Sequence, residues 1–151
     1  DLHLSIRRQR QMCIRDRVWG VLTDFPAFPQ WNPFLKTAEG ELCPGKRLQV
    51  YIQSLDAVGM TIKPTLLEVE PNRELRWLGH LLMPGLFDGE HYFLIEAQRE
   101  EQVRFIHGER FTGALVPLMA LMGLFGKAVL GFEDMNRALK TRAEGEPIPS
   151  E

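Results

Sequence analysis

Two long runs of alternating residues in the second half of the chain, Glu90 to Gln98 and Gln102 to Thr112, are separated only by Arg99 to Glu101. A connection that short cannot hold a crossover helix, so the runs predict neighbouring antiparallel strands. Earlier stretches repeat the alternation. A mixed strand runs from Leu35 to Leu42, and Leu48, Val50 and Ile52 alternate with Gln49, Tyr51 and Gln53 after a turn signal at Pro44 and Gly45. Met60 to Val69 and Leu75 to Leu82 follow, divided by Pro71 and Asn72. The period then changes. Leu121, Phe125, Ala128, Phe132, Met135 and Leu139 recur at alternating steps of four and three, the spacing of one long amphipathic helix from Leu115 to about Arg142. At the other end, Val18, Trp19, Val21, Leu22 and Phe25 fall at helical spacings, and Asp24, Pro26 and Pro29 close that helix before a turn rich in Phe, Pro and Trp. The order predicts an α+β domain of a helix, about six or seven antiparallel strands and a long final helix.

Composition narrows the function. With 151 residues, 44% hydrophobic and 25% charged, the chain suits one globular domain with a real core, and neither a metal nor a cofactor is expected for folding. Its 18 Lys and Arg against 20 Asp and Glu give no electrostatic footprint for nucleic acid. Cys13 and Cys43 form neither a disulfide framework nor a zinc spacing, so a reduced, cytoplasmic setting is the expectation. The uncharged run Gly113 to Gly126 is short for a membrane span, is broken by Pro117 and is followed by Lys127, which favours a buried helix. No phosphate loop, GxSxG elbow or Cys/His nucleophile is present, so covalent and phosphoryl-transfer chemistry find no support.

Residues 1–17 read as foreign to the rest. They hold five arginines against two acids, whereas the remainder is acidic, and the composition shifts abruptly at Val18. The run RRQRQMCIRDR resembles translated sequencing-adaptor read-through at the ends of gene fragments, and the chain starts with Asp. The expectation is a truncated gene, with a domain at 18–142 and a flexible tail at 143–151. A basic arm for an anionic partner is the competing reading.

The segments VWGVLTDFPAFPQWNPF, LLEVEPNRELRW, GEHYFLIE and VRFIHGERFTGALVP resemble the START/Bet v1-like, or SRPBCC, superfamily, often described as polyketide cyclase/dehydrase and lipid transport. That resemblance implies a helix-grip fold, a curved antiparallel sheet wrapped on the C-terminal helix with a tunnel between them. In such proteins another strand precedes the first helix. Here it falls on the foreign segment, where Leu2 to Arg7 alternates suitably.

Alternation nominates the walls of the implied tunnel. Val103, Phe105, His107, Glu109 and Phe111 share one face, His91, Phe93, Ile95 and Ala97 another, and Leu75, Trp77, Gly79 and Leu81 a third. Leu48, Val50, Ile52, Met60, Ile62 and Leu66 extend the lining from the other end. The expected ligand contacts are Trp77, Leu81, His91, Phe93, Ile95, Phe105, His107, Glu109 and Phe111 on strands, with Leu121, Phe125 and Phe132 on the helix. Glu109 needs explanation, because an isolated charge in an apolar tunnel is costly, and His107 and His91 are its available partners. They form either an acid/base group for a ligand carbonyl or a satisfied polar network. His80 alternates to the outer face and reads as a solvated edge residue. A two-His-one-carboxylate metal site from His91, His107 and Glu109 lacks any local ligand spacing. Gly85, Gly89 and Gly113 suit a gating loop or plain turns. The leading expectation is an intracellular protein binding a hydrophobic or amphipathic small molecule such as a lipid, isoprenoid or polyketide-like compound. The alternatives are a cyclase/aromatase-type enzyme using Glu109 with His107 or His91, and a membrane-surface lipid or quinone chaperone, the latter disfavoured because lysines do not flank the apolar stretch on both sides.

Overall fold

The structure is a computed structural model that describes residues 2–5, 14–53, 58–98 and 102–145. β1 (Leu2–Ser5) leads to α1 (Ile14–Thr23), a 3-10 turn (Phe25–Ala27) and α2 (Phe28–Trp31). β2 (Leu35–Glu39), β3 (Gln49–Ile52), β4 (Met60–Ile62), β5 (Thr65–Glu70), β6 (Glu74–Leu81), β7 (Phe87–Ala97) and β8 (Gln102–Thr112) follow, and α3 (Val116–Leu121) and α4 (Leu124–Gly145) close the domain. The strands form a five-stranded sheet in the order β1-β8-β7-β6-β5 and a three-stranded sheet β2-β3-β4, all pairs antiparallel. The α+β helix-grip arrangement is therefore present: a curved antiparallel sheet held against a long C-terminal helix.

Local chemistry sets the turns. The backbone N–H groups of Phe34 and Leu35 donate to Asn32 Oδ1 at 3.0 and 2.9 Å, which turns the chain from α2 into β2 and explains a buried asparagine in the W-N-P-F segment. Asn72, at φ 65, completes the Pro71 turn into β6. The core lies between α4 and the concave side of the large sheet. There Met135, Leu139 and Ala143 are fully buried against the strand residues Leu75, Phe93, Ile95 and Phe105, and Val18 and Leu22 of α1 close one end.

Three expectations change. The run from Met60 to Val69 is two strands, because Pro64 has no N–H to give a ladder; β4 pairs with β3, whereas β5 pairs with β6. The strand from Leu35 stops at Glu39, since Gly40 takes φ 136. The final helix is two helices, broken where Gly123 adopts φ 72, and α4 continues to Gly145. α1 also starts at Ile14, inside the segment read as foreign, and β1 pairs with β8 with Leu2 opposite Phe105. Ile6 and Arg7, and residues 146–151 of the expected tail, lie outside the described residues. Among the described residues no helix is long and apolar enough to cross a membrane.

Candidate ligand cavity and its buried polar chain

A cavity of about 320 Å³ opens between the two sheets and the α3–α4 region, at the lower end of the roughly 300–1,000 Å³ typical of small-molecule sites. Ile52, Met60 and Ile62 come from the small sheet, Trp77, Leu81, Phe87 and Phe111 from the large one, and Met119, Phe125 and Ala128 from the helices. Phe111 contacts Phe87 and Phe125 at ring-centroid distances of 5.2 and 4.6 Å, tying the sheet to the first turn of α4. The wall also carries Glu109, Lys127 and His80.

Strand register builds a polar chain behind the wall. His91 sits opposite both Trp77 and Glu109, and His107 opposite Phe93, so period-two alternation places all of them on one face. His91 Nδ1 lies 3.5 Å from Glu109 Oε2, His91 Nε2 lies 2.6 Å from His107 Nε2, and His107 Nδ1 lies 2.9 Å from Oδ1 of Asn136 on α4. The amide oxygen only accepts, so His107 Nδ1 carries a proton and donates to it. His107 stays neutral: burial first, then the neighbouring His91 charge, pushes its imidazole well below the ordinary histidine value, against the opposing effect of the Asn136 bond. Its Nε2 therefore accepts, and His91 Nε2–H donates. His91 Nδ1 faces the Glu109 carboxyl group at the cavity wall.

Aromatic rings fix both imidazoles. Trp77 stacks on His91 at 5.1 Å and Phe132 stacks on His107 at 4.3 Å. The carboxyl group has its own cradle, for a Cβ at Gly89 would collide with Glu109 Oε1. Because the colliding atom ends a flexible side chain, Gly89→Ala is expected to cost about 1 kcal/mol, the low end for an added methyl group, while swinging Glu109 off His91. The imidazole 15N shifts of His91 in this variant should match those in Glu109→Gln, and unchanged shifts would reject this placement.

Of the residues nominated from sequence, Trp77, Leu81, Glu109, Phe111 and Phe125 border the cavity. His91 and His107 stand behind Glu109, reaching it only through the chain. Phe93, Ile95, Phe105 and Phe132 are packed in the closed core, at most 7% exposed, because α4 fills the sheet's concavity there. Leu48, Val50 and Leu66 are core as well. Leu121 is 86% exposed, since the break at Gly123 turns α3 off the helical stripe that nominated it. His80 is not merely solvated: its Nδ1 lies 2.7 Å from Asp88 Oδ1, which also accepts from Gly85 N–H, and this partner holds the Asp88 carboxyl below the usual range. Asn136 and Asp88 escape the sequence reading, and Gly89, read there as part of a loop or turn, lies within β7 opposite Phe111. Only Asn136 left a signal, a polar residue four positions after Phe132 on an otherwise apolar stripe. Among the described residues no three His, Cys, Asp or Glu side chains are grouped to hold a metal.

A search of curated proteins finds no match. Among solved structures, the Zhui aromatase/cyclase from a Streptomyces species aligns with a TM-score of 0.71 at 16% identity, covering 95% of this chain and 90% of that one. Protein MLL2253 from Mesorhizobium loti gives 0.65 at 18% identity over 97% of each chain, and Ara h 8.0201 gives 0.59 at 13% identity over 88% and 90%. At these identities the likeness is one of fold. The family model described as polyketide cyclase / dehydrase and lipid transport matches residues 15–144, nearly the whole helix-grip domain that encloses the cavity. The chain belongs to that family.

Proposed function

We propose that this protein binds a small hydrophobic or amphipathic molecule in the cavity, with Glu109 meeting the ligand's polar atom. The carrying observation is a single carboxyl group, 19% exposed and backed by His91, set into a cavity wall that is mostly aromatic and aliphatic. Burying apolar ligand surface contributes about 25 cal/mol per Å², and the Glu109 carboxyl group offers the ligand's polar atom a hydrogen-bonding partner. Membership of a family described by cyclase and lipid-transport functions supports a ligand in this place. Native extraction followed by mass spectrometry of co-purifying small molecules tests the reading. An apolar compound released from the wild type, and reduced about tenfold in Glu109→Leu through loss of one charge-assisted hydrogen bond, is the expected result. An empty protein that also takes up no fluorescent lipid probe would sink it.

A second reading is a cyclase-type enzyme, favoured by the Glu109–His91 pair at the cavity wall, two groups of the kind that move protons in carbonyl chemistry. Glu109→Gln separates the two. Loss of conversion of a short poly-β-ketone with retained affinity supports catalysis; no conversion by either protein leaves binding as the function.

A further inference from the structure

Lys127 borders the cavity from the helix side, in the first turn of α4. It is exposed and is the only charged residue between Gly113 and Phe132. Among the described residues nothing pairs with it, whereas Arg76 on the outer face holds Glu74 and Glu90 at 2.6 and 2.9 Å. Fold stability does not account for this cation. A positive charge in the first turn opposes the helix dipole, and its neighbours on the wall, Met119, Phe125 and Ala128, are apolar. Its long flexible stem can lie along that apolar surface while the ammonium reaches a group at the opening.

We propose that the ligand is an anionic single-chain amphiphile whose charged head is held at the opening by Lys127, with its carbon chain against Phe111 and Phe125. This rests on the cavity being a ligand site, as proposed above, with Glu109 left to meet an uncharged oxygen of the ligand rather than its charged head. The two ends of the polar lining differ in kind: the sheet side offers Glu109, which would repel an anion when ionised, and the helix side offers an unpaired ammonium. An anionic head therefore goes to Lys127. A neutral amphiphile gains the same apolar burial without the ion pair, and a cationic one meets like charge.

Head-group charge is the variable to test. Decanoate, decanol and decyltrimethylammonium, each below its micelle concentration, are titrated calorimetrically into wild type, Lys127→Gln and Lys127→Glu at low salt. Decanoate is expected to bind at least about fivefold tighter than decanol, and Lys127→Gln to remove that advantage, the size of one partly exposed ion pair. Decanol affinity should not move, and Lys127→Glu should reverse the order of decanoate and decyltrimethylammonium. Equal wild-type affinity for decanoate and decanol, or decanoate affinity unchanged in Lys127→Gln, overturns the proposal while leaving the cavity a ligand site. Failure of all three probes to bind wild type instead removes the ligand site itself. Co-sedimentation with phosphatidylglycerol but not phosphatidylcholine vesicles, lost in Lys127→Gln, assigns the anionic head to a bilayer lipid; titration of free decanoate without vesicle binding assigns it to a soluble amphiphile.

Discussion

Replacing Trp77 with alanine is expected to destabilise the protein by about 3–5 kcal/mol, the usual loss for a large aromatic removed from a core. The indole is 2% exposed, stacks on His91 at 5.1 Å and meets Phe93 edge-on at 5.4 Å. It separates the solid core from the cavity, so its removal would merge the two spaces and strip one face from the His91 ring. For a domain of this size the loss corresponds to a fall in Tm of roughly 6–20 °C, read by thermal denaturation. Trp77→Phe keeps a ring against His91 and should recover more than half of it. A loss below about 1 kcal/mol in Trp77→Ala would mean that the indole does not pack as described.

The second large effect is on pH dependence. In the unfolded chain His107 takes up a proton below about pH 6.5, but in the fold its lowered pKa keeps it neutral there. Below that pH the unfolded state binds the extra proton, so stability falls as pH falls; above it both states are neutral and this contribution is flat. The slope is at most about 1.4 kcal/mol per pH unit, in the window under pH 6.5 and above the range where ordinary carboxylates titrate. Among the described residues His107 faces His91, Asn136 and the Phe93 and Phe132 rings, with Glu109 one step further through His91. Urea denaturation from pH 7.5 to 5 should show the slope in wild type and a shallower one in His107→Gln. Equal slopes would show that His107 is charged in the folded protein.

The elements legible from sequence are those whose signal is local. The alternation from Glu90 to Thr112 contains the β7–β8 ladder except for its Asp88 and Gly89 rungs, and because a strand has period two it also sets His91, His107 and Glu109 on a common face. What alternation cannot convey is which part of that face borders empty space. Phe105 and Phe111 share it, yet α4 covers the first and leaves the second on the cavity wall. That outcome depends on where the helix crosses the sheet, which is a tertiary fact. Asn136 lies outside a helical stripe made of apolar residues alone, and the His80–Asp88 pair follows from the cross-strand register rather than from the order along one strand. Pro64 and Gly123 show the opposite error. Periodicity ran smoothly through each of them, and one residue's backbone chemistry ended the element all the same.

The division of the strands into two sheets has a mechanical consequence. Around the cavity, Ile52, Met60 and Ile62 belong to one hydrogen-bonded ladder, and Trp77, Leu81 and Phe87 to another. The two are stitched at one end, where Gly45 N–H and Leu48 N–H donate to Leu66 and Pro64 carbonyls and Leu66 N–H donates to Lys46, at 2.8 to 2.9 Å. A guest in the hollow therefore meets side chains of two separate ladders and displaces none of the backbone bonds within either.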